Sequence, residues 1–410
     1  MRVLFLNPVG QLGGGERSLI DLLSALRSFL PEIELHVVVG LDGPLIAECT
    51  ALGATVHPLF MPTAMAGLGD SGLSAKQGRS FKLVGLARSG PVFFSTWSYL
   101  KKLKALIRQI NPDIIHSNGM KFHLLSAVAA PSQVPLIWHV RDFVSSRRII
   151  KHALKLCLKF RRSLGVIAIS KAIHEDVRAV LGNIPIWTVY NAINTQHFAD
   201  TSAWKKTDLD ELAGLATAPL GTLRVGLVAT YARWKGQDLF LEAAAKVVRT
   251  LPDALVRFYI IGGPIYATPG SQFSKEELRN LANDLDISQN VGFVPLQPDV
   301  APIYQALDIV VQSSTKPEPF GRTIVEAMAS SRSVIVSNAG GASELFTSGL
   351  DAIGFLPGNV TSLADSICML LTDSQLRSDL SQAARTTAES RFSRNRLGIE
   401  VGNIYRAFLS

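Results

Sequence analysis

Residues 317–328 read Pro-Glu-Pro-Phe-Gly-Arg-Thr-Ile-Val-Glu-Ala-Met. Glu318 sits in a turn held by two prolines, and Glu326 lies eight positions further on. Pro319 and Gly321 suit a turn, whereas Thr323 to Ala329 carries one apolar face at helical spacing, which predicts a helix from near Arg322. The first-turn amides, at Gly321, Arg322 and Thr323, then have no acceptor within the helix and lie at its positive end, an arrangement that binds anions. One carboxylate stands outside that entrance and one stands inside the first turns. The layout suits a ligand with a phosphate between two neutral, hydroxyl-rich pieces, as in a nucleotide-sugar.

Around this stretch the chain is long, 410 residues with 47% hydrophobic and 18% charged side chains, enough for two or three domains with sizeable cores. Cys49, Cys157 and Cys368 are odd in number and widely spaced. They make neither a disulfide framework nor a zinc site, and point to a reduced, cytoplasmic compartment. The opening apolar run stops at Asn7, before a Gly-rich turn with no cleavage-site pattern, so it reads as a buried strand rather than a signal peptide. No apolar run reaches the roughly 18 residues a membrane span needs.

The net charge of +8 is uneven: residues 1–195 hold 22 Lys+Arg against 11 Asp+Glu, and the remainder 19 against 22. Much of the excess lies in 147–162. On a helix there, Ile150, Leu154, Cys157 and Leu158 share a stripe while the bases lie mainly elsewhere. That pattern fits a helix resting on anionic lipid at the inner face of a membrane, and equally the solvated outer side of a core helix. Aromatics are not interleaved with the bases and no module pattern is present, so nucleic acid is not an expected partner.

Short apolar runs alternate with helical stretches, which predicts parallel-sheet α/β architecture. Candidate strands are Val3–Leu6, Leu35–Val39, Thr55–His57, Ile114–His116, Leu136–Val140, Val166–Ile169 and Ile186–Val189. The rhythm restarts with Arg224–Ala229, Val256–Ile261, Val291–Phe293, Ile309–Gln312 and Val334–Val336. Between the two series, Asp200 to Gly221 reads as a linker region with a short helix. Met61 to Gly90, rich in Gly and Ser, reads as a long loop. The expected organisation is therefore a first α/β domain over 1–195 and a second over 196–391. A C-terminal helix over 392–410 returns to the first, and ligands gather at strand C-termini facing a cleft between the domains.

Several segments carry a resemblance in order. They are Gly-Gly-Gly-Glu-Arg-Ser-Leu (13–19), Pro-Asp-Ile-Ile-His-Ser-Asn (112–118), Trp-His-Val-Arg-Asp (138–142), Ala-Ile-Ser (168–170) and Tyr-Asn-Ala-Ile-Asn (190–194). In the second half they are Val-Gly-Leu-Val-Ala-Thr-Tyr-Ala-Arg-Trp-Lys-Gly-Gln-Asp (225–238), Phe-Tyr-Ile-Ile-Gly-Gly (258–263), Val-Gly-Phe-Val-Pro (291–295) and the glutamates 318 and 326. Over nearly its whole length the chain resembles the retaining glycosyltransferases of family 4. Their GT-B fold sets two Rossmann-like parallel-sheet domains facing each other across a cleft.

The resemblance implies that a sugar moves from a nucleotide donor, most simply UDP- or GDP-linked, to a glycan or lipid-linked glycan, with no further cofactor and no metal. Charge grows on the distal phosphate as it leaves, so preorganised donors and cations are required there. Arg233 and Lys235 would supply charge, and the helix start at Phe320, Gly321, Arg322 and Thr323 would supply donors. Glu326 would accept from the ribose hydroxyls, Glu318 from the transferred sugar, and Phe293 would line the base pocket, largely through backbone. In the first domain, His139 would sit beside the donor sugar. His116 would lie nearby, and Gly13, Gly14 and Glu16 would form a second clamp on phosphate or acceptor. Read without the resemblance, Arg233 and Lys235 are solvated loop bases, Glu326 a helix-surface acid, Phe293 a core aromatic, and the histidines strand-end residues.

The chain departs from the family at Asn118, where a second histidine is common, at Thr230, where arginine is usual, and at Asn191-Ala192 in place of Asn-Gly. Two other classes share parts of the pattern. A nucleotide-sugar epimerase of GT-B architecture would bind the same donor. A dinucleotide-dependent dehydrogenase is poorer, because Gly10-Gln-Leu-Gly13-Gly14-Gly15 misses the fingerprint spacing and Asp42 is the only acid near the second strand's end. The intact glutamate pair argues against a non-catalytic sugar-binding relative.

Overall fold

The computed structural model describes residues 1–66, 81–159, 161, 163–199, 205–264 and 270–409. The chain divides into two compact units, Met1–Ala192 with Arg394–Ser410, and Ile193–Ser393. Each is a parallel sheet covered by helices.

The first unit's sheet has seven strands: β1 Arg2–Asn7, β2 Glu34–Val39, β3 Thr55–Pro58, β4 Ile114–Asn118, β5 Leu136–Val140, β6 Leu164–Ala168 and β7 Ile186–Thr188. Their order is β3-β2-β1-β4-β5-β6-β7. β4, β5 and β6 are buried at every position, as expected of strands with helices on both faces, and this is why they read as unbroken apolar runs. The winding reverses between β1 and β4, so a crevice opens at their C-terminal ends. The helix Arg394–Leu409 belongs to this unit and packs on the helix Gly14–Phe29. Arg394 pairs with buried Asp21 at 2.6 Å, and Leu397, Val401 and Tyr405 join the core.

The second unit's sheet has six strands: β8 Leu223–Val228, β9 Val256–Ile261, β10 Val291–Val294, β11 Ile309–Gln312, β12 Ser333–Ser337 and β13 Ile353–Phe355. The order is β10-β9-β8-β11-β12-β13, with the reversal between β8 and β11. All twelve strands expected from the sequence form, and β13, three residues long, is additional.

Two readings need correction. From Phe81 the chain is not loop but a thirty-residue helix, Phe81–Ile110. The Gly/Ser signal was local, whereas a helix extends cooperatively from its strongly periodic C-terminal half, at the cost of one backbone bond at Pro91. The rest of that expected loop, 67–80, lies outside the described residues. Likewise, Asp200 to Gly221 is more than a linker. Its short helix Lys206–Leu212 brings Asp210 into the second unit's interior, where Arg224 and Arg257 pair with it at 2.6 and 3.1 Å and the Tyr259 hydroxyl donates to it. Among the described residues no helix is long and apolar enough to cross a membrane.

Candidate active site

In the second unit the switch point lies where Lys235, after β8, meets the segment leaving β11. Gly236 makes that approach possible: its φ is +75°, and a Cβ there would stand 2.1 Å from the Ser313 carbonyl oxygen. The Ser313 hydroxyl donates to the carbonyls of Lys235 and Gly236 at 3.0 and 2.9 Å. Gly340, with φ +64°, performs the same service on the other side. It lets its loop press against Pro317 and Glu318, where the Gly341 amide donates to the Glu318 carbonyl at 2.7 Å.

Held this way, Glu318 is 5% exposed. Its Oε1 accepts from Lys235 Nζ at 2.6 Å, Ser314 Oγ at 2.6 Å and Gln312 Nε2 at 3.2 Å. The Gln312 amide is oriented by the Ser337 N–H, which donates to its Oε1 at 3.0 Å. A carboxylate this deep would be costly without such partners. Lys235 has three donors and gives one to Glu318.

The helix predicted from Arg322 spans Arg322–Ala329, with Gly321 as N-cap at φ +107°. Ile324, Val325, Ala327 and Met328 are buried and fix it. Glu326, 4% exposed, accepts from Arg322 Nε at 2.6 Å and from the Tyr304 hydroxyl at 3.1 Å. Each glutamate thus carries a cation on one flank. Thr323, half-buried, follows Arg322 in the first turn.

The other expected donor residues divide. Arg233 does not join Lys235 at Glu318. It turns to the surface, where it pairs with Glu277 at 2.5 Å and lies over the Phe273 ring. With neutral Thr230 in the loop, Lys235 alone of the two bases reaches Glu318. Phe293 belongs to β10, as read from the sequence, and its ring is in the core. Phe320 is buried edge-on against Phe392. Both aromatics leave only backbone for a ligand.

The first unit brings a second group to its own switch point. His116 and Asn118 end β4, and His139 is Asn118's register partner on β5. His116 Nε2 lies 3.0 Å from His139 Nδ1, and His116 Nδ1 lies 2.6 Å from the Tyr405 hydroxyl. Arg141 donates to Asn118 Oδ1 at 3.1 Å, to Asn191 Oδ1 at 2.8 Å and towards His139 Nδ1 at 3.3 Å. Burial, reinforced by the Arg141 charge, holds both histidines well below the usual imidazole range, so both are neutral.

Glu16 lies in the first turn of the helix Gly14–Phe29, where its Oε2 accepts from the Gly13 amide at 3.2 Å and its Oε1 from Asn7 at 3.3 Å. Burial pushes its carboxyl up, against those bonds and the pull of Arg141. The loop at Gly13 and Gly14 is therefore already capped by an acid, which disfavours phosphate there and suits a hydroxyl donor. Among the described residues no three His, Cys, Asp or Glu side chains are grouped to hold a metal.

Sequence reading missed Gln312, Ser314, Tyr304, Asn191 and Tyr405. A polar triplet closing an apolar strand, Gln312-Ser313-Ser314, was a usable signal. Tyr405, 289 residues from His116, gave none.

A family model described as glycosyl transferases group 1 matches residues 217–387, and one described as glycosyltransferase family 4 matches residues 12–197. The D-inositol 3-phosphate glycosyltransferase of Corynebacterium urealyticum is 30% identical over 192 residues, 46% of this chain and 44% of that one. The chain thus spans less than half the length of that relative. An uncharacterized glycosyltransferase of Methanocaldococcus jannaschii is 27% identical over 333 residues, 76% of this chain and 81% of that one. HepE of Anabaena, solved with UDP and with UDP-glucose, matches 99% of this chain and 100% of its own, with a TM-score of 0.78 and 23% identity. The epimerase reading finds no support among these relatives. With one model matched in each Rossmann-like unit and the fold shared along its whole length, the chain belongs to the family 4 glycosyltransferases of GT-B fold.

Proposed function

We propose that the protein transfers a hexosyl group from a nucleoside-diphosphate sugar to a hydroxyl of a glycan or lipid-linked glycan, with retained anomeric configuration. The observation that carries this reading is Glu318, buried at the β8–β11 switch point and tied to Lys235, one turn before a helix start whose own acid is Glu326. Glu326 would take the ribose hydroxyls and Glu318 the transferred sugar. Lys235 and the first-turn amides of Arg322–Ala329 would meet the distal phosphate as the bond from C1 to its oxygen breaks and negative charge grows there. Retention follows from family membership, and the UDP-glucose complex of HepE favours a uridine donor over a guanosine one. These donors and cations would act without a divalent metal.

A membrane-borne acceptor is the second part of the proposal. In the helix Arg148–Leu158, the stripe read from the sequence faces inward, with Leu154 fully buried. The apolar side chains left outside are Ile149 and Leu156, seven apart and 59% and 55% exposed. Exposed Lys155 and Lys159 lie on the same segment, whereas Arg147 pairs with Asp142 and Arg161 donates to the carbonyls of Ala127 and Pro131. Two exposed apolar side chains beside exposed lysines suit anionic lipid.

A thermal-shift panel of nucleotide-sugars on wild type and Glu326→Ala tests the donor reading. At a hundred times its Kd a ligand adds about 2.7 kcal/mol, roughly 5–10 °C for a domain of this size. One UDP- or GDP-sugar should give that shift in wild type and lose most of it in Glu326→Ala, and a panel with no shift removes the proposal. Equal sedimentation with neutral and anionic vesicles removes the membrane part alone.

A further inference from the structure

Glu318 is held by one of its two carboxylate oxygens. Its side-chain hydrogen bonds all end on Oε1, from Lys235 Nζ, Ser314 Oγ and Gln312 Nε2. Oε2 accepts from none of the described residues, and it is not among the buried atoms sealed off without a partner. The backbone is fixed as well: Glu318 and Gly340 form a bridge, and the Gly341 amide donates to the Glu318 carbonyl at 2.7 Å. The Gln312 amide has only one possible direction. A backbone N–H only donates, so the Ser337 amide at 3.0 Å identifies Gln312 Oε1 and leaves the NH2 to face Glu318. Gln312 and Ser337 close the neighbouring strands β11 and β12, so the sheet itself sets this geometry. Ser314 is 1% exposed, and its one hydroxyl proton goes to Oε1 at 2.6 Å. A buried carboxylate needs partners, but burial does not require three of them on one oxygen. Both residues are neutral, so they add direction without changing the charge of the site.

We infer that Gln312 and Ser314 are positioning residues: with Lys235 they occupy Glu318 Oε1, which leaves Oε2 as the acceptor for hydroxyls of the transferred sugar. The ligand rests on the transferase reading, in which Glu318 takes that sugar. All four residues belong to the second unit. A carboxylate oxygen has lone pairs for two hydroxyls, so a sugar lacking one of them forfeits a bond at Oε2. Gln312 and Ser314 thereby help to select the sugar without touching it.

Calorimetric titration of wild type, Ser314→Ala and Gln312→Met with three kinds of ligand tests this role. The ligands are the nucleotide-sugar that stabilises wild type, its bare nucleoside diphosphate, and that nucleotide-sugar with single sugar hydroxyls replaced by hydrogen. Loss of a hydrogen bond to a charged group should weaken nucleotide-sugar binding about five- to tenfold in each variant, with the diphosphate changed less than about twofold. The preference for the full sugar over its deoxy forms should also narrow, a change that a merely looser pocket would not produce. Unchanged nucleotide-sugar binding in both folded variants overturns the assignment. Equal weakening of nucleotide-sugar and diphosphate overturns it too, because the two residues would then serve structure alone. If Gln312→Met does not fold, Ser314→Ala decides. Glu318→Gln is the reference: weakened binding there beside two unaffected variants removes only the positioning role. Unaffected binding in Glu318→Gln removes the sugar role of Glu318, and the positioning role falls with it.

Discussion

The two switch points solve one problem with opposite chemistry. In the second unit, β8 and β11 deliver charges, and each buried glutamate is matched by a cation within 2.6 Å. In the first unit, β4 and β5 deliver neutral groups, with one guanidinium aligning amides and imidazoles. Under the proposed transfer, charge suits a departing pyrophosphate, and a neutral polar group suits hydroxyls. The contrast predicts different failures when each group is disturbed.

The largest effect should come from Lys235→Met, which removes the cation from Glu318 while keeping the length of the side chain. Removing one preorganised charge partner of a developing anion costs about 10²–10³-fold in kcat, measurable by steady-state transfer from the donor found in the panel. A variant within threefold of wild type would detach Lys235 from the chemistry.

Next comes pH. His116, His123 and His139 are all buried, and burial, with Arg141 adding to it, depresses their folded pKa values, His123 to about 3. A depressed histidine binds fewer protons folded than unfolded, so its stability contribution is complete above the unfolded value near 6.5 and is lost as pH falls below it. Each should cost about 1.4 kcal/mol per pH unit below that point. Urea denaturation at pH 7.5 and 5.5, followed by a tryptophan probe in the first unit such as Trp138, should show the loss. Equal midpoints would mean that the histidines are not held neutral.

Tyr405→Phe keeps the ring that joins the core and deletes the hydroxyl that shares a hydrogen bond with His116 Nδ1. A stability loss of about 1 kcal/mol is expected, read from the urea midpoint, and an unchanged midpoint would detach the hydroxyl from the fold's stability. The smallest effect should be Arg233→Ala. Its pair with Glu277 is on the surface, and exposed pairs contribute little. Transfer should fall less than tenfold, and a loss equal to that of Lys235→Met would restore Arg233 to the phosphate.

The same contrast explains what could be read in advance. Glu318 and Glu326 lie in a stretch whose glycine and prolines announce a turn, so local spacing already placed them around a helix start, while Lys235 came only with the family resemblance. Parallel strands buried on both faces, such as β4, β5 and β6, are apolar throughout; twelve strands were visible, three-residue β7 among them, and only the equally short β13 was not. The first unit's group is assembled from His116, Asn118, His139, Arg141, Asn191 and Tyr405, which only the sheet order and the returning C-terminal helix bring together. No local pattern encodes that. Arg233 misled because proximity in sequence to Lys235 says nothing of where a long side chain finds its carboxylate. The stripe of Arg148–Leu158 left two readings open because one apolar face serves a core and a membrane equally well, and burial of Leu154 fits the core reading.

The account turns on Glu318 holding a sugar rather than merely neutralising Lys235. Calorimetric titration of wild type and Glu318→Gln, each with the stabilising nucleotide-sugar and with its bare nucleoside diphosphate, separates the two. The prediction is at least tenfold weaker binding of the nucleotide-sugar to Glu318→Gln, with the bare diphosphate bound as before. Equal affinity of both proteins for the nucleotide-sugar would contradict it.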